Sequence, residues 1–357
     1  MSRDTLLRIL DLARWAPSGD NTQPWQFEIV TDHHVAVHGY DTREWCVYDF
    51  EGWASQLAHG ILLETLRIAA TNFGLETVWQ LRSDSEDCHP VYDVHFSEFN
   101  GLPADPLFPF IEKRVVQRRP MRAIPLSESQ RQGLVSAIEP GYKLQFFETF
   151  AERLKLAKLL WDNAHIRLTC PEAFEVHRQI IEWGSRYSKD RIPEQAVGID
   201  PLTGKLMKWV MKKWSRANFF NRYLLGTILP RIQLDAIPAL MCSAHVIVRT
   251  RLPLISVVDR VHAGVAIQRL WLTVTSLGLY LQPEMTPLIF RWYARSGRRI
   301  SSLSRVNQEV GQLAGRLESL IPDDQGELVF LCRIGHSSEP KSRSIRKGLS
   351  ELMNDGS

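Results

Sequence analysis

The chain has 357 residues, 43 Lys and Arg against 40 Asp and Glu, a net charge of +3, and 44% hydrophobic and 23% charged residues. That length predicts two domains or one large two-lobed one, and the composition is that of a globular protein with a sizeable core, not a disordered chain. So small a charge argues against nucleic acid as a partner of the whole surface.

Five scattered cysteines (Cys46, Cys88, Cys170, Cys242, Cys332) form no Cys-x-x-Cys pair. They predict reduced thiols, not a disulfide framework, and no metal site is expected. Met1–Thr5 lacks the apolar run of a signal peptide, and no apolar window reaches the ~20 residues that span a bilayer. The expected location is the cytoplasm.

In chain order, Leu6, Leu7, Leu10 and Ala13 mark an amphipathic helix, and Trp25–Val30 and Val35–His38 read as strands around a turn at 31–34. Between helix and strand stands Ala16-Pro17-Ser18-Gly19-Asp20-Asn21-Thr22-Gln23-Pro24-Trp25, a turning loop rich in hydroxyl and amide groups. Trp53–Phe73 is helical by spacing, Gly74 suits a left-handed cap, and 75–79 and 91–96 read as paired strands. Further helices are expected at Pro109–Gln117, 127–139, 150–168 and 172–187, with a strand at 143–147. A turn-rich section spans Asp190–Pro201. Ala239–Arg249 predicts a buried strand, Asp259–Leu277 a helix, and 278–282 and 328–334 strands before a basic tail. At an offset of 204, Gly60 aligns with Gly264, Leu66 with Leu270 and Gly74 with Gly278, which fits a duplicated unit.

Arg118-Arg119-Pro120-Met121-Arg122 gathers three cations in five residues. It reads either as a solvated basic corner at a helix end or as a phosphate clamp, since guanidinium forks match phosphate oxygens. The stretch 204–234 mixes Lys205, Lys208, Lys212, Lys213, Arg216 and Arg222 with aromatic residues and has no acid. It fits a lid, an anionic membrane surface or an acidic partner. No Gly-x-Gly-x-x-Gly follows a strand, so a dedicated dinucleotide fold is not expected. The histidines show no metal spacing.

The Ala16–Trp25 loop resembles the flavin-contacting motif of the nitroreductase superfamily. The order of loop and arginine cluster is similar to that of its two-lobed, Acg-type members, in which one chain mimics the dimer. Similar stretches are Asp41-Thr42-Arg43, Leu62–Gly74, Gly264–Gln282 and Arg333-Ile334-Gly335-His336. The resemblance implies an α+β fold of two tandem lobes, 1–105 and 106–357, with an insertion or lid at about 188–238. It implies one FMN site per chain: Pro17, Ser18, Asn21 and Gln23 at the ring, Arg118, Arg119 and Arg122 at the phosphate and ring edge, and Pro283, Glu284 and Met285 along N5. A tail arginine, Arg343 or Arg346, would complete the phosphate site.

Pro120 departs from the family's serine. The implied function is an FMN-dependent oxidoreductase in which the flavin, not a side chain, carries the chemistry, with NAD(P)H as a transient donor and a small-molecule acceptor. Alternatives are a flavin-sequestering protein and a pathway-specific flavin dehydrogenase. Either a monomer acting as a pseudo-dimer or a homodimer is compatible.

Overall fold

The computed structural model describes residues 2–321 and 326–354. Helix α1 (Arg3–Ala13) starts at Ser2, whose Oγ accepts from the Thr5 amide, and buries Leu6, Ile9, Leu10 and Ala13 at helical spacing. Strands β1 (Trp25–Thr31), β2 (His34–Gly39), β3 (Leu75–Leu81) and β4 (Val91–Glu98) form an antiparallel sheet in the order β1-β2-β4-β3. Between β2 and β3 runs helix α2 (Trp53–Thr71), buried nearly all round, and Gly74 follows it at φ +69°. A helix buried on nearly every face belongs in the middle of a core.

A second antiparallel sheet consists of β5 (Tyr142–Phe147), β6 (Ala244–Thr250), β7 (Tyr280–Pro283) and β8 (Glu327–Gly335), ordered β7-β8-β6-β5. Its helices are α3 (Glu128–Ser136), α4 (Phe150–Thr169), α5 (Pro171–Ile180), α6 (Pro201–Val210), α7 (Trp214–Tyr223), α8 (Val257–Ser276), α9 (Thr286–Ser296) and α10 (Ser304–Leu320). Every residue of β6 is buried, because this sheet is covered on both faces. Ala244, Val246 and Val248 join the core around α2 and α8, while Ile247 joins a second core built from α4, α9 and α10.

The two sheets meet through α2 and α8, which cross at Gly60 and Gly264. A Cβ on Gly60 would lie 1.9 Å from the Val261 carbonyl oxygen, and one on Gly264 would lie 2.1 Å from that of Leu57. The contacts are reciprocal at the offset of 204 seen in the sequence, and Arg260 Nε donates to Gln56 Oε1 at the same separation. Self-complementary contact of this kind is how a two-fold interface is built. Here one chain supplies both halves.

Three local expectations are corrected. Pro109–Gln117 is not a helix: only Phe108–Phe110 makes a 3₁₀ turn, and Val116 and Gln117 instead lie along β7, with the Gln117 amide on the Leu281 carbonyl at 3.2 Å. The open edge of β7 satisfies that backbone in place of helical bonds. Helix α5 stops at Ile180, because Ile181 and Glu182 pair with Ile192 and Pro193. Ile237–Leu240 is a helical turn, so β6 begins five residues later than expected, at Ala244.

His59, fully buried on α2, bridges the Pro24 carbonyl at 2.8 Å and the Tyr92 hydroxyl at 3.1 Å. Burial pushes its pKa down to about 4. The unfolded chain, with an ordinary histidine near 6.5, takes a proton that the folded chain refuses, so this residue lowers stability as pH falls from 6.5 to 4. The effect is on the order of 3 kcal/mol. His59→Gln should flatten that part of the urea-denaturation profile; an unchanged acid slope would show that His59 titrates normally.

Candidate functional site

A cavity of about 430 Å³ lies where the two sheets meet, within the ~300–1,000 Å³ of small-molecule sites. Its walls come from the Pro17–Asn21 loop, from α2 (Ala54, Leu57, Ala58, Ile61), from α8 (Ile267, Trp271), from 114–118, from 282–286, from α4 and α5, from Met207 of α6 and Met211 beyond it, and from 342–346. Most of that surface is apolar. The polar groups fall into distinct sets.

The first set is cationic. Arg114 is 2% exposed, stacks 4.7 Å above Trp271 and donates from Nη2 to the Trp15 carbonyl, while its Nε has no partner. Arg343 lies 5.1 Å over Trp15 and donates to the carbonyls of Glu112 and Arg114; its Nε too is buried without a partner. Arg346, 8% exposed, reaches the Ala16 carbonyl at 3.0 Å and Asn21 Oδ1 at 2.8 Å. All three are bound to uncharged protein oxygens. Burial, then mutual repulsion with Arg346 and Arg343, pushes Arg114 well below the ordinary arginine range. Burial lowers Arg343 against the pull of Glu339 and Glu112, and burial together with Arg343 and Arg14 brings Arg346 down to about 9. Cations gathered in a largely apolar wall and hydrogen-bonded only to uncharged oxygens are costly unless an anion completes them.

The second set is Asp20, Arg118 and the buried trio of His245, Glu284 and Arg333. Burial pushes Asp20 up to about 6, against the pull of Arg118 and with the push of Asp49. Burial lowers Arg118 to about 10 despite Asp20. Glu284 accepts from His245 Nδ1 at 2.7 Å and from Arg333 Nη1 at 2.9 Å, and His245 Nε2 meets the Ala239 carbonyl at 2.9 Å. Burial opposes protonation of His245, but the Glu284 charge prevails and raises it to about 10, so both ring nitrogens donate at neutral pH. The trio braces the Pro283–Met285 segment on the cavity wall. Met285 and Thr286 stand at the N-terminus of α9, where the first amides of a helix lack intrahelical acceptors.

The third set is on the wall made by α4 and α5. The Tyr48 hydroxyl lies 2.9 Å from His177 Nε2, Arg167 pairs with Asp235 at 2.6 Å, and Asn163 Nδ2 donates to Thr286 Oγ1. Burial, reinforced by Arg167, lowers His177 to about 3, so the neutral ring accepts from the Tyr48 phenol.

Pro17, Ser18, Asn21, Arg118, Pro283, Glu284, Met285, Arg343 and Arg346 all line the cavity. Gln23, Arg119 and Arg122 do not. Gln23 is fully buried; its Nε2 donates to the carbonyls of Asn21 and Lys189, and its Oε1 accepts from the Lys347 amide. Arg119 is exposed and reaches the Gln195 carbonyl, and Arg122 is exposed beside His336.

Asn21 lines the wall, but its amide is engaged by Arg346 and by the carbonyls of Arg191 and Ile345. The two amides of the loop thus clasp the C-terminal tail and aim Arg346. Asp20, Asn21 and Gln23 all hold positive φ to do so. The Glu284 amide donates to the Leu331 carbonyl at 2.7 Å, which removes it as a free donor. Sequence reasoning missed Arg114, whose sole signal was its place four residues before the arginine cluster, and missed Tyr48 and His177, which carry no local signal.

Residues 1–50 match the sequence profile of the Nitroreductase family. No curated protein matches the chain. Solved structures that resemble it include the FMN-dependent nitroreductase NfnB of Mycobacterium smegmatis in complex with NADPH, at 12% identity over 70% of this chain and 96% of that one, TM-score 0.37. A nitroreductase with bound FMN from Bacteroides fragilis matches at 11% over 66% and 89%, TM-score 0.35. Another from Desulfitobacterium hafniense matches at 13% over 68% and 95%, TM-score 0.35. The matched residues take in the clasping loop and the strand after it.

Proposed function

We propose that the chain is an FMN-dependent oxidoreductase of the nitroreductase type acting on a small molecule, with NAD(P)H as a donor. The observation that carries this reading is the trio Arg114, Arg343 and Arg346. Arg114 and Arg346 are buried and Arg343 is half-buried and repels both; the set has two orphaned Nε donors and sits on a largely apolar cavity beside the loop in the family match. That arrangement fits a phosphate joined to a flat, largely apolar body. Two lobes, 1–105 and 106–357, with a covering insertion at about 188–238, are the division we favour, supported by the reciprocal contacts of Gly60 and Gly264.

In this reading Arg114, Arg343 and Arg346 hold the phosphate. Ala58, Ile61 and Trp271 exclude water from the ring, while Ser18, Arg118 and the segment Pro283–Met285 orient its polar edge. Bound there, the flavin would supply hydride transfer between donor and acceptor. Tyr48 keeps its proton at neutral pH, since burial raises its pKa well above the ordinary value, and donates it to His177 on the cavity wall.

The test is the visible spectrum of the purified protein, with acid release and quantification of flavin. About one FMN per chain is expected, reducible by NAD(P)H under anaerobic conditions. Arg114→Met should weaken FMN binding by roughly 1.5–3 kcal/mol for a lost charge-assisted contact. It should not destabilise the flavin-free protein, because it relieves repulsion in the trio. A colourless protein that takes up no added FMN overturns the reading. Bound flavin that no nicotinamide donor reduces would support sequestration or a dedicated dehydrogenase instead.

A further inference from the structure

Helix α6 faces two ways. Met207, and Met211 just beyond the helix, line the cavity, while the outer side of α6 and α7 exposes Leu206, Trp209, Phe219 and Tyr223. The rings run without a break from one helix to the next: Trp209 meets Phe220 at 5.7 Å, Phe220 meets Phe219 at 6.3 Å, and Phe219 meets Tyr223 at 5.2 Å. Arg216 lies 4.4 Å over Trp209, and Arg222 lies 5.5 Å over Tyr223. Beyond α7 the chain presents Leu224 and Leu225 outward, Leu225 at 72% exposure and φ +53°. Gly226 then turns back onto the Phe220 carbonyl at 2.9 Å. A leucine held in left-handed backbone at an exposed tip is strained and unburied at once, and such outliers mark function more often than chance.

The charge of this face is one-sided. No acidic residue occurs from Pro201 to Leu234, and Lys205, Lys208, Lys212 and Lys213 are exposed. Basic stems flanking aromatic rings and a leucine tip match the layered chemistry of a bilayer surface, with phosphates above and acyl carbons below. No helix among the described residues is long and apolar enough to cross a membrane, so the fit is to lying on it. An acidic protein would satisfy the lysines but leave Leu224 and Leu225 without an apolar partner.

We propose that the outer face of α6 and α7 docks on an anionic lipid bilayer, with the Leu224–Leu225 tip below the headgroups and the lysines at the phosphates. The cavity wall formed by Met207 and Met211 would then lie directly beneath the lipid surface, a position suited to an apolar ligand dissolved in it. The docking does not depend on what the cavity binds.

The experiment is cosedimentation of the full chain with vesicles of phosphatidylcholine alone or with roughly a third phosphatidylserine. Binding to the anionic vesicles only, weakened by salt, is expected. Joint Lys208→Gln, Lys212→Gln and Lys213→Gln substitution should weaken it by about a factor of five per lysine, roughly a hundredfold in all. Joint Leu224→Ser and Leu225→Ser substitution should weaken it at least about tenfold through lost apolar insertion. All of these residues are exposed, and unchanged far-UV circular dichroism confirms the fold of each variant. No binding to anionic vesicles overturns the proposal. So does binding that the leucine pair does not affect and that polyglutamate competes away, which would assign the face to an acidic protein.

Discussion

Gly60→Ala is expected to remove about 3–5 kcal/mol of stability, most of what a marginally stable domain has, and with it the cavity. The added methyl would meet only backbone: the Val261 carbonyl at 1.9 Å and 2.7 Å from its oxygen and carbon, and Gly264 Cα at 2.9 Å. No side chain can swing aside, so α2 and α8 must separate. Both helices line the cavity, through Leu57 and Ile61 on one and Ile267 and Trp271 on the other, so separation alters the site as well as the core. Gly264→Ala should behave alike, since its methyl would stand 2.1 Å from the Leu57 carbonyl oxygen. Gly315→Ala in α10, where nothing lies within 4 Å, should instead stabilise by up to about 1 kcal/mol through helix propensity. Urea midpoints measure all three. A Gly60→Ala protein within about 1 kcal/mol of the parent would mean that the helices do not cross so closely.

Glu284→Gln carries the second large effect, about 3–5 kcal/mol, because it leaves Arg333 a buried cation without its carboxylate and removes the charge that keeps His245 protonated. The substitution keeps the shape, so the loss reports charge. In the parent, the His245 pKa stands at about 10 against 6.5 unfolded. Its stabilising contribution is therefore complete below 6.5 and is lost as pH rises through 10. In the variant, His245 no longer gains from a neighbouring carboxylate, and stability should fall much less between pH 7 and 10. Pro283 and Met285 flank the substituted position on the cavity wall, so ligand uptake should weaken in parallel. Equal pH slopes in parent and variant would remove the ion trio from the account.

Much of the architecture was legible because it is local. The spacing of Leu6, Leu10 and Ala13 made α1, the alternation in Trp25–Val30 made β1, and Gly74 and Gly278 took the left-handed caps at φ +69° and +70°. The offset of 204 was visible as an alignment, and its meaning as a reciprocal helix crossing came from packing.

The site was legible in one loop and obscure elsewhere. Arg118, Arg119 and Arg122 stood out as a run, yet only Arg118 turns inward. The residues that make the cationic pocket are Arg114 and the tail pair, separated by more than 200 positions and joined through the carbonyls of Glu112, Arg114, Trp15 and Ala16. Gln23 has the residue type of a ligand-reading amide, but the tail amide at Lys347 and the Lys189 carbonyl claim it first. Pro109–Gln117 had apolar residues at helical spacing, and the vacant edge of β7 drew its backbone into strand-like pairing.

The sequence by itself determined most of the elements, the turn chemistry of the Ala16–Trp25 loop and the alignment of two glycine-opened helices. Periodicity, caps and turns depend on neighbours within a few residues. The tertiary structure decided which cations share a cavity, which amides clasp the tail and which open edge takes a loose segment. Those outcomes rest on competition among buried donors and acceptors far apart in the chain, and only the folded arrangement brings the competitors within hydrogen-bond distance.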